Sequence, residues 1–176
     1  MRYLMMNKPV GYITAMRDDV RPCVADLLSD ADKAGLFHVG RLDKDTVGLM
    51  ILTNNGKLAH SLLSPKHHVE KVYRFEVAEP LPPDAEHKFS EGITLADGYE
   101  CKSARLVCDP SRTSGEITLT EGKYHQIKRM VASLGNKVVA LERISFAEIL
   151  LDASLSRGEW RYLTESEISS LENKVN

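Results

Sequence analysis

The apolar run Val47–Thr53 is the part of the sequence that most restricts the fold. It reads Val-Gly-Leu-Met-Ile-Leu-Thr, without the alternation of a strand that faces water on one side. A run this short is typical of a strand, and a strand that is apolar throughout is typically buried on both faces. The run therefore predicts an interior strand of a sheet that is covered on both sides.

Other periodic segments predict further strands and amphipathic helices. Side chains alternate over residues 71–77, so that Tyr73 and Phe75 share one face. Apolar residues recur at helical spacing over residues 127–134, and Gly135 follows as a left-handed cap. Weaker patterns predict strands at residues 3–6, 12–15, 37–40, 116–120, 138–141 and 160–163, and helices after Pro22, from Thr53 or Asn54, and after Thr164. These elements predict an α+β fold, in which helices flank a mixed, mostly antiparallel central sheet.

The composition is that of a globular protein from a reducing compartment. With 176 residues, of which 43% are hydrophobic and 27% charged, the chain is long enough for one core. No apolar run approaches the roughly 20 residues that span a bilayer, and the N-terminus is too polar for a secretory signal. Cys23, Cys101 and Cys108 are an odd number without CxxC spacing, which argues against a disulfide framework and a zinc site. We therefore expect a cytoplasmic protein without a membrane partner.

Basic residues are grouped along a chain whose net charge is only −2. The first group comprises Lys66, His67, His68, Lys71 and Arg74, and the second comprises Lys123, His125, Lys128, Arg129 and Lys137. Two local groups on a nearly neutral chain are consistent with a face that binds a polyanion. Two solvated surfaces would give the same pattern, and charge alone does not decide between the two interpretations.

A dense set of charges separates two predicted core strands. Gly40 ends one strand, and Arg41, Asp43 and Lys44 precede the strand at Val47–Thr53. Charges in such a place lie at a sheet edge or in a cleft, and the neighbouring cations favour the ionised carboxylate of Asp43. An ionised carboxylate in a cleft can act as a nucleophile or an electrostatic stabiliser. A tight turn with a local salt bridge is the alternative, and the spacing alone favours that turn.

Lys128 and Arg129 lie in the first turn of the predicted helix, where a positive charge opposes the helix dipole. Because Ile127 and Met130 occupy the core face, both cations project away from it. This placement favours a fixed anion nearby, either a carboxylate or a phosphate. A solvated helix face explains the two cations equally well.

Tyr73 begins a strand near basic residues, and its neighbours on the same face are apolar. A tyrosine in this position can stack on a nucleobase. More often such a tyrosine is a core residue with a hydrogen-bonded hydroxyl group, and the residue alone favours that simpler interpretation.

These positions occur together as the ordered motifs of one enzyme family. Gly40-Arg41-Leu42-Asp43 matches its GRLD motif, and Lys71-Val72-Tyr73 matches its second motif. Residues 121–130, Glu-Gly-Lys-Tyr-His-Gln-Ile-Lys-Arg-Met, match its third motif, and Asn7-Lys8-Pro9-Val10-Gly11 fits its opening strand and turn. The chain therefore resembles the pseudouridine synthases of the RsuA/RluB/E/F family over essentially its whole length.

The resemblance implies an enzyme that isomerises uridine in RNA without a cofactor or a metal. It implies that Asp43 is the catalytic residue, that Tyr73 stacks on the target base and takes part in proton transfer, and that Lys128 pairs with Asp43. Arg41 would fill the space that the flipped base vacates. The residues expected to contact RNA are Arg41, Lys66, Lys71, Arg74, Lys123, His125, Gln126 and Arg129.

Lys-Tyr-His-Gln at residues 123–126 and the sequence at residues 64–71 are closest to the family branch that modifies 16S ribosomal RNA. The resemblance to that branch implies uridine 516 as the target, within a small-subunit assembly intermediate, and a monomeric enzyme. Members of the branch usually carry an N-terminal S4-like RNA-binding module, whereas this sequence begins at the first strand of the catalytic domain. We expect residues 1–176 to form one catalytic domain of two joined lobes around a central cleft, without an S4-like module.

Three alternatives remain open at this stage. The first is a pseudouridine synthase that acts on 23S ribosomal RNA. The second is a catalytically inert RNA-binding module for ribosome assembly, although a pure binder needs no set of Asp43, Tyr73 and Lys128. The third is a metal-free hydrolase that uses Asp43, which lacks a second carboxylate at a recognisable spacing.

Overall fold

A nine-stranded sheet organises the chain, and the computed structural model describes all of residues 1–176. The strands are β1 (Tyr3–Lys8), β2 (Phe37–Val39), β3 (Val47–Thr53), β4 (Lys71–Val77), β5 (Arg105–Cys108), β6 (Ser114–Leu119), β7 (Val138–Phe146), β8 (Ile149–Leu150) and β9 (Trp160–Tyr162). The α-helices are α1 (Asp30–Lys33), α2 (Gly56–Leu63), α3 (Ala85–Glu91), α4 (Gln126–Ser133) and α5 (Glu165–Lys174). Two 3-10 helices, Val24–Leu27 and Pro65–His67, complete the elements.

The strand order is β5-β6-β4-β7-β3-β1-β9, with β2 paired to β3 and β8 paired to β7. Every pairing is antiparallel except the one between β3 and β7, where Val47 lies opposite Glu142 and Gly48 opposite Arg143. The predicted class, a mixed and mostly antiparallel sheet with flanking helices, is thus confirmed.

Strand β3 is covered on both faces, as its apolar sequence predicts. Leu49 and Ile51 belong to one apolar cluster, whereas Met50 and Leu52 belong to another on the opposite face. All four side chains are at most 1% exposed. Burying four such side chains contributes roughly 1.5–3 kcal/mol each, so β3 is a principal source of stability.

The short parallel pairing of β3 with β7 divides the sheet into two halves. On one side, β4 to β7 pack with α3 and α4 around Phe75, Phe89 and Met130. On the other side, β1 to β3 pack with α2 and α5 around Leu62 and Leu171. The junction between the halves is where backbone from both can line a common cavity.

Gly48 makes that junction possible. Its φ of +106° lies in a region that side chains rarely adopt, and a Cβ there would lie 2.3 Å from the carbonyl oxygen of Arg143. Only glycine avoids both penalties, because it has no Cβ. The position of β7 against β3 therefore depends on this residue.

Several boundaries differ from the sequence-based predictions. No strand forms at residues 12–15, where Ile13 makes only an isolated bridge to Cys23. The helix predicted from Thr53 or Asn54 begins later, because Asn55 caps it by accepting a hydrogen bond from the Leu58 amide. The segment after Pro22 is a 3-10 helix rather than an α-helix. The capping box of Thr164 and Glu167 at the start of α5 is confirmed.

The longest helix, α5, has 10 residues. None of the helices has the length and apolar character that crossing a bilayer requires.

Candidate active site

A cavity of about 760 Å³ opens where the two halves of the sheet meet. The segment before β3, the strands β4 and β7, and the segment that leads into α4 all contribute side chains to its wall. Of the residues predicted from sequence, those lining it are Arg41, Asp43, Lys71, Tyr73, Lys123, His125, Gln126 and Lys128. The three sequence motifs, which lie far apart along the chain, therefore converge on one cavity.

A buried lysine holds the loop that carries Asp43. The side chain of Lys8, at the end of β1, is fully buried, and its Nζ donates to the carbonyl oxygens of Thr46 at 2.7 Å and Lys44 at 3.1 Å. Burial lowers the pKa of Lys8 to about 8, against the attraction of Asp45 and Asp43. At neutral pH the ammonium group is therefore charged, and it satisfies backbone oxygens that the loop would otherwise leave unpaired.

Thr14 fixes the same loop from the other side. Its Oγ1 donates to the Leu42 carbonyl oxygen at 2.8 Å and accepts from the Leu42 amide at 3.0 Å. The Thr46 amide then donates to the Asp43 carbonyl oxygen at 3.0 Å, which closes a turn around the motif. Because the backbone on both sides of Asp43 is hydrogen-bonded, the position from which its side chain extends is fixed.

Lys128 joins Asp43 to the start of α4. Its Nζ lies 3.2 Å from Asp43 Oδ2 and 2.6 Å from Asp45 Oδ1. Burial lowers the pKa of Lys128, but the hydrogen bonds to Asp45 and Asp43 outweigh it, so the pKa is raised overall. His125 Nε2 lies 3.5 Å from Asp43 Oδ1 on the other side of the carboxylate. The two carboxylates are the fixed anions that the sequence predicted near this helix.

Gln126 organises the segment before α4 from a buried position in the cavity wall. Its side chain is only 4% exposed. Its Oε1 accepts from the Lys123 amide at 2.9 Å, and its Nε2 donates to Glu121 Oε2 at 3.0 Å. Both polar ends of the amide thus have partners within the protein, and the RNA contact expected of Gln126 stays a prediction.

Tyr73 faces the cavity from β4. It is partly buried against the apolar clusters of both halves of the sheet, and in the β4–β7 ladder it lies opposite Arg143. Its hydroxyl group makes no hydrogen bond within the protein, whereas a core tyrosine would normally find one. The Tyr73 ring therefore packs against apolar residues on one side, and its unpaired hydroxyl group is available to a ligand in the cavity.

Three predicted RNA contacts lie outside the cavity. Arg74 is on the β4 face opposite Tyr73, as strand alternation requires, and pairs there with Asp109. The side chain of Arg129 extends from a different face of α4 than Lys128, and its Nη2 lies 2.5 Å from Asp97 Oδ2. Lys66 is exposed in the 3-10 helix Pro65–His67. Any RNA contact of these residues would involve the surface around the cavity.

Lys8, Thr14 and Arg143 were not predicted to belong to the site. A lysine at the end of an otherwise apolar strand was the available signal for Lys8. Arg143 gave no comparable signal, because a bulge interrupts the alternation of β7: Leu141, Arg143 and Phe146 lie opposite Phe75, Tyr73 and Lys71 on one face of the sheet. No group of three or more His, Cys, Asp or Glu side chains is arranged to hold a metal ion.

Comparison with known proteins agrees with this geometry. The family model described as RNA pseudouridylate synthase matches residues 2–133. The ribosomal small subunit pseudouridine synthase A of Vibrio cholerae is 42% identical over 170 residues, which cover 97% of this chain and 74% of that protein. The Escherichia coli K12 protein of the same name is 39% identical over 170 residues, with the same two coverages, 97% and 74%. An uncharacterized RNA pseudouridine synthase of Bacillus subtilis is 43% identical over 173 residues, covering 96% of this chain and 72% of the relative.

Solved structures extend the comparison. A crystal structure of a pseudouridylate synthase superposes with a TM-score of 0.92 at 40% identity, covering 97% of this chain and 73% of that one. An H/ACA ribonucleoprotein bound to a substrate RNA gives 0.62 at 16% identity, covering 89% and 50%, which shows a shared fold. The chain belongs to the RNA pseudouridylate synthase family.

Lys71 gives a test of the electrostatics of the cavity. Burial and the neighbouring Arg143 lower its pKa to about 8, although Glu121 opposes them. Replacing Lys71 by Met should raise the free energy of unfolding at pH 7 by on the order of 2 kcal/mol. The unfolded chain binds this proton more tightly than the folded one between about pH 8 and 10.5, so the gain should shrink as pH rises through that range.

Urea unfolding at pH 7 and pH 9.5 measures the effect. The matched variant Lys66→Met removes an exposed lysine and should change stability by less than about 0.5 kcal/mol at both values. If the gain from Lys71→Met did not depend on pH, the positive charge of Lys71 would not be what destabilises the folded protein.

Proposed function

We propose that this enzyme converts uridine 516 of 16S ribosomal RNA to pseudouridine, with Asp43 as the reacting carboxylate. The observation that carries the proposal is that Asp43 is the cavity carboxylate still available to a ligand. Only Asp43 and Glu121 line the cavity with carboxylates. Glu121 already accepts from the Tyr99 hydroxyl, the Lys102 amide and Gln126.

The chemistry needs a carboxylate and no further reagent. The N1–C1′ bond of uridine breaks with its electron pair on the uracil, the base turns, and C5 then bonds to C1′. The proton that C5 loses is balanced by a proton that N1 takes up. No oxidation occurs and no group enters, so substrate and product have the same atoms. Attack on C1′, attack on C6 and removal of the C2′ proton are the three ways in which Asp43 can act, and each requires an ionised carboxylate.

Lys128 would orient the Asp43 carboxylate through their ion pair. Its ammonium group also binds Asp45, so one cation is shared between two carboxylates. Because Lys128 is shared with Asp45, it neutralises less of the negative charge of Asp43 than it would if it bound Asp43 alone. The carboxylate therefore remains able to bind the electron-poor sugar carbon that forms as the glycosidic bond breaks.

Tyr73 would stack on the inserted uracil, with its hydroxyl group free for proton transfer at the sugar. To enter the cavity the base must leave its stack, which costs a few kcal/mol in a duplex. Exposed Arg41 and Lys123 line the cavity and form no ion pair with a carboxylate, so their contacts to RNA phosphates can offset this cost.

The names of the relatives support the choice of RNA. Proteins named ribosomal small subunit pseudouridine synthase A match 97% of this chain at 39–42% identity. Residues 123–126 and 64–71, where the resemblance to the 16S branch is strongest, include cavity-lining positions. The proposal places the reaction in the cytoplasm, on a small-subunit assembly intermediate.

Release of tritium from C5-labelled uridine tests both the reaction and the RNA. We expect release from 16S RNA or small-subunit particles and none from 23S RNA, because C5 loses its proton only at the isomerised uridine. A 16S transcript in which cytidine replaces uridine 516 should release no tritium. Release from 23S RNA alone would overturn the target, and binding without release would indicate an inert RNA-binding module.

Two substitutions of Tyr73 separate stacking from proton transfer. Tyr73→Leu removes the stacking surface, which is worth roughly 1–3 kcal/mol per base, and should weaken substrate binding about tenfold or more. Tyr73→Phe keeps the ring, so we expect it to bind substrate normally and to lose single-turnover rate only if the hydroxyl group transfers a proton.

Equilibrium binding and single-turnover rates for both variants distinguish these effects. Tyr162→Leu, which removes an exposed tyrosine on β9 far from the cavity lining, is the matched control and should leave both constants unchanged. Wild-type behaviour of both Tyr73 variants would mean that Tyr73 only packs in the core.

A further inference from the structure

Arg143 is a buried cation of the cavity wall whose terminal nitrogens have no partner. Its side chain is 2% exposed, and its Nε donates to the Leu49 carbonyl oxygen at 2.9 Å. Neither terminal nitrogen makes a hydrogen bond or an ion pair, and Nη2 is the one buried side-chain polar atom of the protein left without a partner. Leaving such a group unpaired is costly, so a partner that arrives with the substrate would explain its presence.

The surrounding structure fixes the guanidinium group in one orientation. The carbon Cζ lies 5.2 Å from the centre of the Phe146 ring, and Nε is tied to β3. In the sheet, Arg143 stands between Gly48 on one side and Tyr73 on the other. The pair of terminal nitrogens is therefore preorganised beside the ring that is proposed to hold the base.

A second cation shares this part of the cavity. Lys71 lines the same wall and makes no ion pair, and it is close enough to Arg143 for the repulsion between them to lower the lysine pKa. By contrast, the positive charge of Lys128 is already matched by Asp43 and Asp45. With Lys71 and Arg143 against the single carboxylate of Glu121, this side of the cavity carries an excess of positive charge.

We propose that Arg143 and Lys71 bind the carbonyl oxygens of the inserted uracil and stabilise the negative charge that develops there when the N1–C1′ bond breaks. This inference rests on the proposed function and names two further catalytic residues for it. The electron pair of the broken bond stays on the uracil and spreads over its ring nitrogen and carbonyl oxygens. Donors fixed in advance at those oxygens stabilise the transition state more than the bound substrate.

The depth of Arg143 argues for the base rather than a backbone phosphate. Phosphates stay with the RNA chain at the rim, where Arg41 and Lys123 are exposed. A group that contacts a side chain with 2% exposure has to enter the protein with the flipped nucleoside. Of its parts, the uracil is the one that gains negative charge during the reaction.

The test compares uridine with 5-fluorouridine at the target position, using the wild type and Arg143→Lys. Fluorine stabilises the uracil anion by itself, so less help from the protein is needed. We expect Arg143→Lys to lower the single-turnover rate of glycosidic cleavage of uridine about a hundredfold, with RNA binding nearly unchanged. Its rate on 5-fluorouridine, measured as loss of the nucleoside after nuclease digestion, should fall much less.

Two further variants keep the test decisive. Lys71→Met should show the same smaller loss on 5-fluorouridine, and it replaces Arg143→Lys if that protein does not fold. Arg161→Lys changes a partly buried arginine on β9, held by Asp152 and Glu167 outside the cavity, and should leave both rates unchanged.

Equal losses on both substrates would overturn the proposal, as would a loss confined to RNA binding, which would indicate a phosphate contact. Failure of the proposed function itself looks different, because the wild type would then cleave neither substrate.

Discussion

The close contact between Gly48 and the backbone of Arg143 is the constraint on which the rest of the site depends. The two residues form half of the parallel pairing between β3 and β7, where the two halves of the sheet meet. The Asp43 loop enters β3 immediately before this point, and the β4 partner of Arg143 is Tyr73. One backbone contact therefore sets the distance between the carboxylate and the ring, and any side chain at position 48 would separate them.

Buried cations are the second feature that unites fold and chemistry. Lys8 and Arg143 are buried and Lys71 is half-buried, at positions where apolar residues would stabilise the protein more. Lys8 has carbonyl partners that hold the Asp43 loop, whereas Lys71 has no ion pair and the terminal nitrogens of Arg143 have no partner, its Nε alone donating to the Leu49 carbonyl oxygen. A protein that keeps unpaired cations against a cavity is less stable for it, and a substrate that becomes negative inside that cavity accounts for their retention.

The sequence predicts the regular part of this fold and the members of the site, but not how they are joined. Strands β3 and β4 and helices α4 and α5 were predictable because their periodicity extends over several residues or because capping residues mark their ends. Helix α3 was missed because it is short and buries only Ala85 and Phe89. The parallel contact of β3 with β7 covers two residues, too few to leave a periodic signal.

Lys8 and Arg143 were missed for a related reason. The sequence pattern predicts that β1 ends at residue 6 and β7 at residue 141, whereas the strands continue to Lys8 and Phe146. A charged side chain usually marks the end of a buried strand. Lys8 and Arg143 instead lie within strands, with their side chains directed towards the site. Local sequence rules therefore fail at positions where the function requires a residue that is unfavourable for stability.

The most direct test of the central claim compares Asp43→Asn with Asp45→Asn in tritium release from 16S RNA. Both substitutions remove a carboxylate that binds Lys128, but only Asp43 lines the cavity. We predict that Asp43→Asn lowers release by roughly three orders of magnitude or more while RNA binding persists. Asp45→Asn, the loss of a largely exposed ion pair, should cost no more than about fivefold. Appreciable release by Asp43→Asn, or equal losses in the two variants, would contradict the claim that Asp43 carries out the reaction.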